Sequence, residues 1–255
     1  MIFAVDVGNT NIVVGAIDGD DVKFVERIST DKTKTDLEYA MLFKSVLDIR
    51  KISVSDIEGS IISSVVPEIN QILKTSIEKL LNKTPLIIGP GVKTGLNIKL
   101  NDPAELGADM VVAAVAAIKE YPLPQIIFDL GTATTISVIS KEGDFLGGSI
   151  LSGVKTSLES IINKSSLLTN ISYDTPGNVI GKSTIECLKS GVVYGTASMM
   201  DGMIDKIENE LKEKPTVIAT GGLSSYFIKY CNHEIIFDDQ LLLKGLGIIY
   251  KKNSK

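Results

Sequence analysis

Residues 6–11 read DVGNTN, directly after the apolar run 2–5, and residues 129–134 read DLGTAT, directly after the apolar run 126–128. The chain thus places an aspartate, a glycine and small polar residues behind a buried-type strand twice, about half its own length apart. One such turn carries little information, because Asp-Gly pairs close many β-hairpins. Two in matching places say more. A carboxylate at a strand end can hold water around a divalent cation. The glycine lets backbone N–H groups approach a phosphate closely, and the Asn and Thr side chains add neutral donors. A third stretch, ATGGLS at 219–224, sets two glycines between a strand and a helix, a backbone surface on which an adenine or ribose can lie.

Working outward, β-type runs at 2–7, 11–17 and 22–28 are separated by turn-rich residues. A helical spacing of Leu37, Met41, Leu42, Val46 and Ile49 follows. A buried strand at 59–65, a helix opened by Pro67 and running to about 81, and a short strand at 86–88 come next. A Gly/Pro/Asn-rich stretch, 89–105, leads into a helix over 107–119. The second half repeats the plan: strands at 125–129, 134–140 and 144–150, then a helix over 155–163. Residues 165–182 read as irregular. A long helix follows from Ser183, with Glu186 three positions on as in a capping box, running to about 212 with a break expected near Gly191 to Gly195. A strand at 215–219 and two closing helical segments complete the half. This is an internal duplication, and the Tyr121-Pro122-Leu123-Pro124 joint divides it into domains 1–120 and 121–255. The fold class expected is α/β.

Composition narrows the functions. The chain has 255 residues, 44% hydrophobic and 22% charged, with net charge −5; it can bury a sizeable core. Lysines are scattered rather than clustered with aromatics, so no nucleic-acid partner is expected. Cys187 and Cys231 have no metal-type spacing. No leader-like segment precedes Asp6, and the longest mostly apolar run, 110–118, is too short to span a bilayer. These features point to a reduced, cytoplasmic setting without a membrane partner. The single histidine, His233, reads as a loop residue, which leaves little room for a Ser-His-Asp or Cys-His mechanism. GKST at 181–184 imitates the end of a P-loop, but the glycine required five residues earlier is Pro176, so that reading fails.

The two Asp-Gly turns and ATGG together resemble the phosphate and adenosine segments of the actin, hexokinase and Hsp70 superfamily. Within it, MIFAVDVGNTNIVVG, VVPEINQILK, IIGPGVKTGLNIK, GAD at 107–109, IIFDLGTATTISVI, GKST with SGVVYG at 190–195, and VIATGGLSS resemble type III pantothenate kinases, over essentially the whole chain and in order. The resemblance implies a duplicated actin-like (ribonuclease H-like) ATPase fold, two similar domains with a nucleotide cleft between them. It also implies a homodimer that transfers the γ-phosphoryl of ATP to pantothenate, the first step of coenzyme A biosynthesis, with Mg2+ and K+ or NH4+. Carried over by the same resemblance, Asp6, Val7, Gly8, Asn9, Thr10, Asn11, Ile12, Val13 and Thr132 bind ATP, and Asp129 ligates the monovalent cation. Gly107, Ala108, Asp109, Met110 and Thr184 form the substrate side, with Asp109 as base and Thr184 reaching the neighbouring subunit's substrate. On the residues alone, Asp109 reads as a helix-start aspartate, Asp129 as a hairpin residue and Thr184 as a first-turn residue. A carboxylate near a helix start is expected to be held ionised by the helix dipole.

Three positions depart from the family pattern: Met110 stands where GADR has arginine, Leu100 where a tyrosine is common, and Ser152 where a proline precedes glycine. Met supplies none of arginine's donors; Lys99 and Lys155 are candidates to compensate. Two other readings follow, a kinase of this fold for a different small alcohol and a nucleotide-binding regulator without turnover. Met199, Met200, Met203 and Ile204 are expected to offer apolar surface at the dimer interface.

Overall fold

A computed structural model describes residues 1–165, 168, 171–173 and 176–254. In chain order the elements are β1 Ile2–Val7, β2 Asn11–Asp18, β3 Asp21–Ser29, α1 Asp36–Ile49, β4 Gly59–Ser64, α2 Asn70–Leu81, β5 Leu86–Ile87, β6 Asn97–Ile98 and α3 Ala108–Glu120. Then come β7 Gln125–Leu130, β8 Ala133–Ile139, β9 Asp144–Ser152, α4 Val154–Asn163, α5 Thr184–Leu211, β10 Thr216–Thr220, α6 Ser224–Phe227, β11 Ile236–Phe237 and α7 Leu241–Asn253.

The strands form two sheets, ordered β3-β2-β1-β4-β5 and β11-β10-β7-β8-β9-β6. Setting β6 aside, these are one topology written twice. In each, the first three strands make an antiparallel meander and the next two join parallel to the first. Even the irregularity recurs: the register slips between Ala16 and Ile17 in β2 and between Val138 and Ile139 in β8, the sixth and seventh residues of each strand. A bulge adds local twist and is a placed feature.

The chain divides into two compact units: Met1–Leu96 with Asn101–Lys119 and Gln240–Lys255, and Glu120–Asp239 with Asn97–Leu100. This differs from a single cut at 120/121. In the first unit β1 is buried along its whole length, as a strand covered on both faces must be. Alternate residues go to opposite faces. Phe3, Val5 and Val7 join a core with Tyr39, Phe43 and Leu47 of α1 and Leu73 and Ile77 of α2. Ile2 and Ala4 join one with Val111, Val112 and Val115 of α3 and Leu243, Leu246 and Ile249 of α7. The C-terminal helix therefore belongs to the first unit because its apolar stripe completes that second face.

In the second unit, Ile126, Phe128 and Leu130 of β7 pack with Val193, Met200 and Ile204 of α5 and Phe227 of α6. Met200 and Ile204 are fully buried there, and Met199 and Met203 are partly buried against the same core. The group expected at a dimer surface thus serves the unit's own interior. α5 is continuous across Gly191 and Gly195, because Val193, Ala197 and Met200 bury one stripe through the glycines. At its start the Ser183 hydroxyl accepts from Glu186 N–H, while the Glu186 carboxylate accepts from Lys182 N–H, one residue earlier than in a capping box. Where the chain enters and leaves this unit, the Tyr121 hydroxyl donates to Asp238 Oδ2 at 2.8 Å.

Candidate active site

Asp6 closes β1. It stands opposite Val13 of β2 and Ser63 of β4, and its side chain is buried. By strand alternation Asp6 and Ser63 share the face of Ala4 and Ile61, the α3 face. The turn beyond is held at both ends: Gly8 N–H donates to Asn11 O at 3.0 Å, Thr30 N–H to Thr10 O at 3.0 Å, and the Thr30 hydroxyl to Gly8 O at 2.6 Å. Asn9, Thr10 and Asn11 are exposed, whereas Val7 and Ile12 are core residues on the opposite face. Those two can serve a ligand only through their backbone. Val13 is half-buried.

The second turn repeats these bonds. Gly131 N–H donates to Ala133 O at 3.1 Å and Gly153 N–H to Thr132 O at 3.2 Å; the Thr156 hydroxyl also donates to Thr132 O, at 2.9 Å. Thr132 thus corresponds to Thr10, and the second turn is one residue shorter. Asp129 is half-buried opposite Thr220 of β10, as Asp6 is opposite Ser63. Two glycines press onto this turn. A Cβ on Gly153 would overlap the carbonyl oxygens of Gly131 and Thr132. A Cβ on Gly221, whose φ is +91°, would sit 2.5 Å from Asp129 Oδ1 and 2.8 Å from Leu130 N and O. Asp129, Thr132, Gly153 and the ATGG turn therefore form one cluster in the second unit.

The GAD segment lies at the Asp6 end of the first unit. A Cβ on Gly107 would be 2.6 Å from Asp109 Oδ1 and 4.0 Å from Val65 Cγ1. Val65 in turn follows β4 and donates its N–H to Val7 O at 3.0 Å. Asp109 is half-buried in the first turn of α3, and Asp109 Oδ1 accepts from Met110 N–H at 2.8 Å. Burial raises its carboxyl above the ordinary aspartate value, outweighing the opposing backbone N–H groups. The helix-dipole expectation is reversed: desolvation wins over the local dipoles. Ala108 and Met110 flank it, both half-buried.

Of the remaining positions, Thr184 is the exposed first residue of α5, and Leu100 lies with the second unit beside Gly147. Lys99 Nζ is 3.4 Å from Asp144 and Lys155 Nζ is 3.8 Å from Glu159, so both lysines already face acidic partners. His233 Nε2 lies 2.9 Å from Asp205 Oδ1 in a surface pair. Ser63, Thr220, Thr30 and Gly153 escaped the sequence reading. The signal for the first two was the hydroxyl at the same place in each duplicated half.

Among the described residues no group of three or more His, Cys, Asp or Glu side chains is arranged to hold a metal ion. A divalent cation that arrives on nucleotide phosphates and keeps its waters needs only one or two carboxylates. Asp6 fits that demand, and the Ser63 hydroxyl beside it is buried with no hydrogen-bond partner among the described residues. No helix among the described residues is long and apolar enough to cross a membrane.

The family model described as type III pantothenate kinase matches residues 2–206. A type III pantothenate kinase of Bacillus cytotoxicus is 42% identical over 254 residues, covering 100% of this chain and 97% of the relative. Among solved structures, the activator of the 2-hydroxyisocaproyl-CoA dehydratase from Clostridium difficile with bound ADPNP aligns with a TM-score of 0.58 at 14% identity, covering 98% of this chain and 93% of the other. A ROK family glucokinase from Streptomyces griseus in complex with glucose and AMPPNP aligns at 0.51 and 12%, covering 98% of each chain. These two likenesses show the fold, the duplicated actin-like ATPase architecture.

Proposed function

The chain belongs to the type III pantothenate kinase family, and on that premise we propose that it transfers the γ-phosphoryl group of ATP to the primary hydroxyl of pantothenate, in the cytoplasm, as the first step of coenzyme A biosynthesis. The observation that carries the reading is Asp109: a half-buried carboxyl raised by desolvation, set at the same end of the first sheet as Asp6. A proton acceptor works best when its affinity for the proton is brought toward the working pH.

In the proposed reaction the turns Gly8–Asn11 and Gly131–Thr132 hold the triphosphate through backbone N–H groups and the Asn and Thr side chains, and Gly221-Gly222 lies against the adenosine. Asp109 takes the hydroxyl proton as that oxygen bonds to the γ-phosphorus; the bond from the γ-phosphorus to the β–γ bridging oxygen breaks, and ADP leaves with the pair. Such a transfer asks for positioning and charge neutralisation more than covalent help. When bound, Mg2+ supplies that neutralisation on the phosphate oxygens. Asp6 would hold it through water, and Asp129 would hold K+ or NH4+. The exposed position of Thr184 supports a role for it at a partner's substrate in a homodimer.

The test is ATP turnover by the purified protein with pantothenate, with pantoate and other small alcohols alongside. Turnover with pantothenate above the controls is the expected result. Equal or better turnover with another alcohol would favour the second reading, for which Met110 and Leu100 are the specific grounds. No ATP turnover with any of them would overturn the assignment.

A further inference from the structure

Two buried serines of β4, Ser60 and Ser63, have no hydrogen-bond partner for their hydroxyls among the described residues, and both are essentially inaccessible. A buried hydroxyl without a partner destabilises a fold, so each calls for a reason. Their surroundings differ. Ser60 stands opposite Phe3 and shares its face with Ile62, both members of the core under α1 and α2. Ser63 stands opposite Asp6, one residue before the strand ends, on the face where α3 begins and Asp109 lies. The second half repeats the pair, since Thr220, also buried, stands opposite Asp129. A small hydroxyl beside the turn aspartate is thus part of the duplicated unit rather than an accident of one strand.

We propose that Ser63 is a further residue of the active site, its hydroxyl a hydrogen-bond partner for a water of the nucleotide's divalent cation beside Asp6. The inference rests on the ATP-binding reading above. The chemistry suits the residue. A carboxylate only accepts, whereas a serine hydroxyl donates one bond and accepts others. It can accept from a cation-bound water, whose protons are strongly polarised, and donate to an oxygen that arrives with the nucleotide. Magnesium keeps several of its waters and is reluctant to exchange them for protein ligands, so a neutral oxygen that holds a water answers its needs. In the free chain the hydroxyl is left unmatched, a cost removed only when the hydrated cation arrives.

The experiment measures AMPPNP affinity by calorimetry, in excess Mg2+ and in EDTA, together with the melting temperature of the nucleotide-free protein, for wild type, Ser63→Ala and Ser60→Ala. Ser63→Ala should weaken AMPPNP about ten- to hundredfold in Mg2+, the loss of one hydrogen bond to a charged centre, and leave affinity in EDTA unchanged. Ser60→Ala should change neither affinity. Both nucleotide-free variants should melt at or above the wild-type temperature, because each sheds an unmatched buried hydroxyl. Wild-type affinity of Ser63→Ala in Mg2+ would overturn the proposal, as would equal weakening with and without the cation or a clear drop in its nucleotide-free melting temperature. Failure of the wild type to bind AMPPNP in Mg2+ would overturn the ATP reading itself, and this proposal with it.

Discussion

Replacing Gly221 with alanine separates two jobs that adjacent glycines do in one turn. Gly221 has a φ of +91°, and a Cβ there would lie 2.5 Å from Asp129 Oδ1 and 2.8 Å from both N and O of Leu130. Gly222 has no positive φ, and a Cβ on it would meet nothing within 4 Å. For Gly221→Ala the left-handed backbone costs about 1–2 kcal/mol. The forced displacement of a packed backbone costs about 1–3 kcal/mol more. With about 2–4 °C per kcal/mol for a chain of this size, the total of about 2–5 kcal/mol lowers the melting temperature by roughly 4–20 °C. Gly222→Ala meets neither cost and should melt within about 1 °C of the wild type.

Nucleotide binding should sort the pair the other way. Gly222→Ala adds a methyl group to the open surface assigned to the adenosine, so AMPPNP affinity falls with no change in stability. Gly221→Ala loses affinity as well, through the shifted Asp129. The assay is a thermal melt of each nucleotide-free variant, followed by calorimetric titration with AMPPNP. Equal melting temperatures for the two variants would refute the steric reasoning. Unaltered AMPPNP affinity in Gly222→Ala would refute the placement of the adenosine.

Asp109→Asn should abolish phosphoryl transfer with little change in ATP affinity; substantial residual activity would remove Asp109 as the base. Because burial raises the folded-state value above 3.8, the wild type's advantage from that group is full below this value and lost as pH rises through the raised one. The asparagine variant should therefore gain on the wild type in melting temperature from acid to neutral pH, and a constant difference would contradict the shift. Met110→Arg should lower the KM for pantothenate by about three- to tenfold, one charge-assisted contact less the cost of ordering the side chain, and leave the KM for ATP unchanged; a lower melting temperature without a gain in KM would favour another alcohol. The Cys231 thiol is pushed up to about 12, chiefly by burial and then by Asp201, whereas Cys187 is exposed. A thiol titration at pH 8 should show one fast equivalent, and two would contradict the burial of Cys231.

What could be read from the sequence was what local chemistry encodes. DVGNTN and DLGTAT announce themselves because a strand end, a carboxylate and a glycine are all short-range features, and ATGG does so for the same reason. The two-residue strands β6 and β11 carry no periodicity to detect. The leucines and isoleucines of α7 say that one face is buried but not against which sheet, so its return to the first unit has no local sign. Gly191 and Gly195 suggested a break in α5; the buried stripe through Val193, Ala197 and Met200 overrides their weak helix propensity. The raised proton affinity of Asp109 has a related origin. The helix dipole is visible in sequence, whereas desolvation depends on what the fold brings around the carboxyl.

The duplication also explains why Asp109 occurs once while the Asp-Gly turns occur twice. In both halves a helix follows the fifth strand. Between β11 and α7 lie three residues, 238–240; between β5 and α3 lie twenty, 88–107. The extra length includes β6, which pairs with β9 of the second unit, and it ends in the glycine over which Asp109 folds. The second half has no such segment and places no carboxylate at the start of its last helix. In the proposed reaction a triphosphate has two sides to be held, so a turn repeated in each half suits it, but only one acceptor hydroxyl gives up a proton. The turn therefore persists in both copies of the fold, and the proposed base sits in the segment by which the copies differ.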